Sequence, residues 1–337
     1  MSRIGVLGAG SWGTALAVHA ATAGCRVRLW ARDPETAEEL RRDRRNAKYL
    51  PEAELPSAVV PTADLAELKD CELVFAVVPS HGFREVVRRF LEARSADLPV
   101  VLISATKGIE TDSLARMSQV CLEEAAASDR RVEFAVLSGP TFASELASGV
   151  ASAAVVASEE ERLARRLSDL FSTRTLRLYS SSDVVGVELG GAAKNVIAIG
   201  AGIVSGLGLG HNTLAALITR GLHEMTRLGV ACGGRPRTFS GLAGLGDLVL
   251  TCTGGLSRNR RTGLELAAEK SLEEIQRGTS MVAEGIRNSL ALTRLAREKG
   301  IEMPITEQMM AVMYEGKSPR HAVEELMTRQ LKSEVQL

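Results

Sequence analysis

The chain has 337 residues, of which 45% are hydrophobic and 24% charged, and its 41 basic side chains balance 41 acidic ones. This composition predicts a globular protein, and the length favours two domains because single cores seldom grow past about 250–300 residues. The zero net charge argues against bulk attraction to nucleic acid or to an anionic membrane, so any anion must be bound locally.

The cysteines and the N-terminal residues bear on the cellular compartment. Five cysteines occur without a CxxC pair, and the first residues run into a strand-like segment with no signal-peptide pattern. We therefore expect a reduced, cytoplasmic protein. The longest weakly polar run, residues 196–209, is short and glycine-rich, whereas a membrane span takes about 20 apolar residues, so stable membrane insertion is not expected.

The first motif is the glycine-rich stretch GAGSWG, residues 8–13. An apolar run precedes it and a helix-forming sequence follows, so the glycines occupy a predicted strand-to-helix corner. In a dinucleotide fingerprint Gly8 turns the chain, Gly10 admits the pyrophosphate, and Gly13 lets helix and strand pack closely. An ordinary glycine turn is the alternative, and the strand–helix context favours the dinucleotide site.

The first half of the chain alternates strand-like and helix-like segments. Apolar strand-like runs occupy 27–30, 73–78, 100–104, 134–137 and 153–157, with charged helical stretches such as 85–94 and 159–172 between some of them. This order predicts an α/β fold, in which a Rossmann-type, mostly parallel sheet domain is followed by a mostly α-helical domain. The pattern changes near residues 180–183, and only 248–250 resembles a strand afterwards. The predicted domains are 1–182, which binds the dinucleotide, and 183–337, which binds substrate.

Residues that follow the predicted strands are candidates for ligand contact, because ligands of such sheets bind beyond the carboxyl ends of the strands. Lys107 follows one strand, and the segment 138–143 follows the next. A solvated loop lysine and a plain turn are the alternatives, and the positions at strand ends give ligand contact equal weight with them.

Three features of the second domain suggest chemistry. Lys194 and Asn195 interrupt an apolar helix over 188–199, where a charge is costly unless it is paired or titrated. The alternative is a lysine that extends its ammonium to water. Asp247 ends a glycine-rich corner and would be unremarkable as a helix cap.

The third feature is the stretch Ser257-Arg258-Asn259-Arg260-Arg261. Ser257 is a suitable N-cap, and arginines in a first helical turn are disfavoured by the helix dipole unless an anion lies there too. The pattern therefore predicts phosphate capture by guanidinium groups and backbone N–H groups. A basic face on a solvated helix is the alternative.

These segments together resemble the bacterial-type NAD(P)-dependent glycerol-3-phosphate dehydrogenases over almost the whole chain. The motifs GVLGAGSWGTALA, AVVPSH, SATKGIE, LSGPTFA, ELGGAAKNVIAIGAG, TFSGLAGLGDLVLTC and SRNRRTG occur in the order and spacing of that family. The resemblance implies that Lys194 is the proton acceptor. It implies substrate contacts at Lys107, Gly139, Thr141, Lys194, Asp247, Ser257, Arg258 and Asn259. Besides the three fingerprint glycines, it implies cofactor contacts at Ser11, Trp12, Arg32, Tyr49, Lys107, Ala143, Arg258, Val282 and Glu284. Thr141 stands where serine is common in the family and keeps the hydroxyl.

The chemistry implied by the resemblance fits these residue types. Oxidising the secondary alcohol of glycerol 3-phosphate to dihydroxyacetone phosphate requires a nicotinamide for the hydride, a base for the hydroxyl proton and a site for the phosphate. The reaction needs no metal, and the five histidines form no ligand cluster in the sequence. The resemblance also implies a homodimer and a role in supplying glycerol 3-phosphate for phospholipid synthesis.

Cofactor preference depends on the residues after the second predicted strand. NAD-specific sites place an acid there for the ribose 2′-hydroxyl, and counting from the glycines nominates Asp33. The strand pattern instead ends near Trp30, which gives the acid's usual place to Ala31 and leaves Arg32 to meet a 2′-phosphate. We therefore expect NADP(H) to be used at least as well as NAD(H).

Two other functions fit part of the pattern. A hydroxy-acid dehydrogenase with the same two-domain plan would also use a helix lysine, although a carboxylate needs less than the 257–261 cluster offers. A dinucleotide sensor without catalysis would keep the glycine motif and have no use for Lys194, Lys107 and Asp247.

Overall fold

The computed structural model describes residues 2–95, 98–278, 283–331 and 333. The chain forms two compact units, of which the first comprises Met1–Thr106 with Ala115–Val184 and the second Lys107–Leu114 with Val185–Leu337. The segment Lys107–Leu114 therefore belongs with the second unit, whereas the sequence analysis assigned all of 1–182 to one domain.

The first unit is built on a mostly parallel sheet, as predicted. Its eight strands run in the order β10-β9-β8-β7-β6-β1-β2-β5, and β3 and β4 form a separate antiparallel pair. The strands are β1 Arg3–Leu7, β2 Arg26–Trp30, β3 Arg45–Asn46, β4 Leu50–Glu54, β5 Val59–Thr62, β6 Leu73–Ala76, β7 Val100–Ser104, β8 Val132–Ser138, β9 Ser152–Ala157 and β10 Leu176–Ser181. Strands β3, β4, β5 and β10 were not predicted.

One pair in this sheet departs from the parallel arrangement. Strand β9 runs antiparallel to β8, whereas the other neighbours pair in parallel. The link from β8 to β9 holds only the five-residue helix Ala143–Ala147, in place of the longer crossover helix that usually joins parallel strands.

Helices cover both faces of the sheet. They are α1 Ser11–Thr22, α2 Pro34–Asp43, α3 Ser80–Glu92, α4 Met117–Ala127, α5 Ala143–Ala147 and α6 Glu161–Phe171, with a 3₁₀ helix at Leu65–Leu68. Successive side chains of a strand point to opposite faces, so Val6 packs in one buried cluster with Leu29, and Leu7 packs in another with Trp30. Strands buried on both faces explain the continuous apolar runs in the sequence.

The second unit is built of helices in the described residues after Val185. Its helices are α7 Val184–Gly206, α8 Gly210–Ala231, α9 Pro236–Phe239, α10 Asp247–Thr253, α11 Arg258–Ala267, α12 Leu272–Arg277, α13 Glu284–Lys299, α14 Pro304–Tyr314 and α15 Pro319–Met327, with a π-helical turn at Leu242–Gly246. The predicted strand at 248–250 is wrong, because these residues lie in α10. Leu248 is buried and Val249 exposed, and so short an apolar run does not distinguish strand from helix.

Helix α7 is the core of the second unit. Its length and hydropathy alone would let it cross a membrane, but its apolar window is entirely buried. A Cβ atom on Gly202 would stand 2.0 Å from the Arg260 carbonyl oxygen, and one on Gly263 would stand 1.9 Å from that of Ile199. Helices α7 and α11 therefore pack backbone against backbone, which fixes the start of α11 beside the helix that carries Lys194.

Candidate active site

The glycine-rich loop between β1 and α1 has the steric features of the predicted fingerprint. Gly8 has φ +116°, which favours glycine, and a Cβ on it would stand 2.4 Å from the Val77 carbonyl oxygen. A Cβ on Gly13 would stand 1.8 Å from the Gly8 carbonyl oxygen, whereas one on Gly10 would meet no atom within 4 Å. Gly8 and Gly13 thus serve the packing of the loop, and Gly10 leaves open space above it.

Donors at this loop fit a bound pyrophosphate. Gly10 is the N-cap of α1 and no side chain caps this helix end, so its first backbone N–H groups are suited to an anion. The indole Nε1 of Trp12 is buried and has no acceptor among the described residues. An unpaired buried donor and the space at Gly10 are both features that a dinucleotide would satisfy.

A neighbouring segment holds this loop by its backbone. Asn46 is buried, and its Nδ2 donates to the Ala9 carbonyl oxygen at 2.9 Å and to Thr14 Oγ1 at 2.7 Å. Ser11 Oγ donates to the carbonyl oxygen of Tyr49 at 2.6 Å. Asn46 was not predicted, since a single asparagine in a polar stretch gives no signal of such a role.

The residues after β2 have the arrangement that the sequence suggested. The strand ends at Trp30, Ala31 is buried and Arg32 is exposed. The carboxylate of Asp33 caps α2, where it accepts hydrogen bonds from the Glu35 and Thr36 backbone N–H groups at 3.2 and 3.3 Å. Asp33 is therefore occupied in holding a helix end.

The predicted ligand residues after β8 also lie in the first unit. Gly139 has φ +147°, and a Cβ on it would stand 2.8 Å from the Ala154 Cα atom. Thr141 Oγ1 donates to the Gly139 carbonyl oxygen at 3.3 Å, and Ala143 begins α5. Their contacts with substrate and cofactor stay predictions.

The structure brings three of the predicted residues together in the second unit. Asp247 begins α10 directly after the π-helical turn, a form of helix frequent at functional sites, and only 1% of it is exposed. Its Oδ2 accepts a hydrogen bond from Lys107 Nζ at 2.6 Å, and its Oδ1 accepts one from Lys194 Nζ. One buried carboxylate thus holds two ammonium groups.

Lys194 has a further partner and a perturbed acidity. Its Nζ donates to Thr251 Oγ1 at 2.8 Å, and only 5% of the residue is exposed. Burial lowers the pKa of Lys194 to about 7, and the Lys107 charge adds to this effect while the Asp247 carboxylate opposes it. The lowered pKa agrees with the expectation that a charge in this apolar helix is paired or titrated. Thr251 was missed, although it follows Asp247 by four residues and so shares its face of α10.

Side-chain amides connect this cluster to the start of α11. Asn195 Nδ2 donates to the Lys107 carbonyl oxygen at 3.2 Å, and Asn259 Nδ2 donates to Asn195 Oδ1 at 2.9 Å. The Gly285 N–H donates to Asn259 Oδ1 at 3.0 Å. Asn288 Nδ2, which the sequence analysis did not consider, donates to the same Lys107 carbonyl oxygen at 3.1 Å.

The start of α11 has the predicted cap. Ser257 Oγ accepts a hydrogen bond from the Arg260 N–H at 3.2 Å, and Arg258 is an exposed residue of the first turn. Glu284 begins α13, and Val282 lies outside the described residues. Among the residues that the structure describes, no group of three or more His, Cys, Asp or Glu side chains has the geometry to hold a metal ion.

Comparison with known proteins identifies the family. Residues 3–164 match the family model described as the NAD-dependent glycerol-3-phosphate dehydrogenase N-terminus, and residues 183–324 match the model of its C-terminus. The chain belongs to the NAD-dependent glycerol-3-phosphate dehydrogenase family. This confirms the resemblance drawn from the motifs and decides against both the hydroxy-acid dehydrogenase and the sensor without catalysis.

Individual members of this glycerol-3-phosphate dehydrogenase family are similar to the chain over nearly its full length. The chain is 50% identical to a glycerol-3-phosphate dehydrogenase [NAD(P)+] of Syntrophotalea carbinolica over 334 residues, which cover 99% of each chain. It is 50% identical to the enzyme of the same name from Koribacter versatilis over 340 residues, which cover 100% of each. A crystal structure of glycerol-3-phosphate dehydrogenase from Coxiella burnetii superimposes with a TM-score of 0.92 at 40% identity, over 97% of this chain and 99% of that one.

Proposed function

We propose that Lys194 is the acid–base residue of the family reaction, which interconverts sn-glycerol 3-phosphate and dihydroxyacetone phosphate with NAD(P)(H). The observation that carries the proposal is the hydrogen bonding of Lys194 Nζ. An ammonium has three hydrogens, and two of them are directed at Asp247 and Thr251. We assign the remaining hydrogen of the ammonium to the exchange with the substrate oxygen.

In the oxidation direction, neutral Lys194 accepts the proton of the C2 hydroxyl as the alcohol becomes a ketone. The bound nicotinamide supplies the hydride acceptor. In the reduction direction, the Lys194 ammonium donates its third hydrogen to the oxygen of the ketone as this becomes an alcohol. A lysine pKa of about 7 populates both forms near neutral pH.

The phosphate of the substrate is assigned to the start of α11. The Ser257 oxygen accepts from the Arg260 N–H, so we assign the Ser257 hydroxyl hydrogen to the phosphate, and the exposed Arg258 supplies charge. The Asn259 side chain already serves Asn195 and Gly285, so its share of phosphate binding falls to its backbone N–H or its second Nδ2 hydrogen. Lys107, Gly139 and Thr141 complete the proposed substrate contacts.

The cofactor is assigned to the glycine-rich loop, with contacts from Ser11, Trp12, Arg32, Tyr49, Lys107, Ala143, Arg258, Val282 and Glu284. We expect a preference for NADP(H), because Arg32 is exposed at the end of β2 while Asp33 is occupied as a helix cap. A cytoplasmic location, a homodimer and a role in supplying glycerol 3-phosphate for phospholipid synthesis complete the proposal.

The experiment that tests the role of Lys194 is Lys194→Met, which keeps the length of the side chain and removes the proton. The variant should fold, bind NADPH and lose about 10²–10⁴-fold in kcat. The matched control is Lys270→Met, which removes a lysine from a surface ion pair with Glu265 and should keep wild-type turnover.

The pH dependence of the wild-type enzyme tests the same role. Because oxidation needs the neutral amine, its rate should rise as pH passes through about 7, while reduction, which needs the ammonium, should fall.

Near-normal turnover in Lys194→Met, with folding confirmed by thermal melting, would contradict the acid–base role and leave Lys194 a purely structural one.

A further inference from the structure

Helix α13 places a buried asparagine against the backbone of the substrate-site lysine. Asn288 is 0% exposed, and its Nδ2 donates to the Lys107 carbonyl oxygen and to the Ala192 carbonyl oxygen, both at 3.1 Å. Ala192 lies on α7, two residues before Lys194. One amide group therefore ties the Lys107 backbone to the helix that carries Lys194.

Burying the Asn288 amide has a free-energy cost, which indicates that its two donated hydrogen bonds have a role. The Oδ1 atom of Asn288 is buried and has no donor among the described residues, and an unsatisfied buried acceptor is unfavourable. An apolar side chain of similar size would avoid that cost if the position served only packing. The two hydrogen bonds that the Asn288 amide donates offset this cost.

The bonded carbonyl belongs to a residue whose location affects the chemistry. Lys107 is the first residue of the short segment Lys107–Leu114, which belongs with the second unit, and its ammonium lies on Asp247 opposite Lys194. Asn195 donates to the same carbonyl oxygen at 3.2 Å. Two amides from two helices thus hold Lys107 by its backbone at the point where the segment enters the unit.

We propose that Asn288 is a positioning residue, which holds Lys107 by its carbonyl oxygen so that the Lys107 ammonium stays on Asp247 beside Lys194. The inference rests on the proposed acid–base role of Lys194. The charged and titratable groups that act on Lys194 are Asp247 and Lys107, and Lys194 in turn acts on the thiol of Cys252. Among these residues, Asn288 contacts Lys107, through the hydrogen bond to its carbonyl oxygen.

The consequence is a shift in pH dependence. When Lys107 is released, Lys194 loses a repelling neighbour and gains a larger share of the Asp247 charge, so its ammonium is stabilised. Asn288→Ala should therefore move the midpoint of the pH profile for glycerol 3-phosphate oxidation upward by about one unit. Oxidation at pH 7 should fall several-fold, and reduction should change less.

The matched control is Ser289→Ala. Ser289 is equally buried on α13, and its hydroxyl donates to the Ile286 carbonyl oxygen of the same helix at 2.7 Å. Loss of the Ser289 hydroxyl should lower the melting temperature with no change in the midpoint of the pH profile. A purely structural role for Asn288 would give the same result as this control.

A double-mutant cycle identifies the route of the effect. Lys107→Met should itself raise the pH midpoint of the residual activity, and Asn288→Ala in that background should add nothing. An Asn288→Ala midpoint equal to wild type, or an equal shift in both backgrounds, would overturn the inference. If Asn288→Ala does not fold, Asn288→Ser, which keeps one donor, should show a smaller upward shift, and an unchanged midpoint would again overturn it.

Failure of this inference can be distinguished from failure of the proposed function. If Lys194→Met removes the pH-dependent limb but Asn288→Ala does not move it, Lys194 keeps its role and Asn288 loses its own. If the limb persists in Lys194→Met, the acid–base assignment itself fails.

Discussion

The glycine-rich loop of the first unit and the lysine cluster of the second unit are built in opposite ways. In the loop, the proposed cofactor site is made of backbone groups and of glycines without side chains, as at Gly10 and Gly13. In the cluster, the proposed acid–base site is made of buried charged side chains, as at Lys194 and Asp247. The loop is specified within a few consecutive residues, whereas the cluster is specified by contacts between distant segments.

This difference predicts how each region fails. Added atoms should damage the loop, because the space they would occupy is filled by backbone at Gly13 and is assigned to the ligand at Gly10. Removed charges damage the cluster, because each buried ion depends on a partner of opposite sign.

The largest effect is expected for Asp247→Asn, which leaves two ammonium groups without their shared carboxylate. Breaking a buried pair in this way should cost about 3–5 kcal/mol of unfolding free energy. Because Asp247 raises the pKa of Lys194, its loss should lower that pKa further, so reduction at pH 7 should decline more than oxidation. Urea unfolding and pH–rate profiles in both directions check this prediction.

The matched control for Asp247→Asn is Glu273→Gln. Glu273 pairs with Arg277 at 3.0 Å on α12, and both side chains are more than three-quarters exposed. Its loss should change stability and pH dependence little, since exposed pairs are screened by solvent. An Asp247→Asn protein as stable as this control would show that the buried charges are not coupled.

A smaller effect is expected when a methyl group is added to either of two loop glycines, and the two should fail differently. Gly13→Ala places a Cβ against the Gly8 carbonyl oxygen and should cost about 1–3 kcal/mol of stability. Gly10→Ala meets no protein atom, so it should keep the wild-type melting temperature while the Kd for NADPH rises about tenfold, or about 1.4 kcal/mol. Thermal melts and NADPH fluorescence titrations separate the two outcomes.

The control for these substitutions is Gly82→Ala on α3, where an added Cβ also meets no atom within 4 Å. Both stability and NADPH binding should stay close to wild type or improve slightly, because alanine is the better helix former. Tight NADPH binding by Gly10→Ala would contradict the assignment of the space above the loop to the pyrophosphate.

The same contrast explains what the sequence alone could predict. The strand–glycine–helix corner at residues 4–21 is local, and five further strands were recognised from apolar runs that are buried on both faces. Lys194 could be nominated because a charge in an apolar helix is conspicuous. Its bond to Asp247, 53 residues away, has no local signature, so the sequence left open which charges meet.

Other parts of the site are beyond sequence reasoning for the same physical reason. Asn46 and Asn288 act through hydrogen bonds to backbone carbonyls of distant residues, and a carbonyl exists at every position of the chain. The apolar run at 248–250 fits a strand as well as a helix, and packing against the rest of the unit decides for the helix.

The smallest effect is expected at Arg32, which is exposed two residues after the end of β2. If its guanidinium meets the 2′-phosphate of NADPH, Arg32→Ala should raise the Kd for NADPH up to about fivefold, since an exposed ion pair is worth up to about 1 kcal/mol. The Kd for NADH should not change, because NADH lacks that phosphate. The matched control is Arg26→Ala, an exposed arginine at the opposite end of the same strand, which should leave both affinities unchanged. Equal losses for the two cofactors would assign Arg32 to the part that they share, and an unchanged ratio would leave the preference to residues elsewhere in the loop. A selective loss of NADPH would show that a single exposed charge sets the choice of cofactor, while the backbone of the loop binds what the two cofactors have in common.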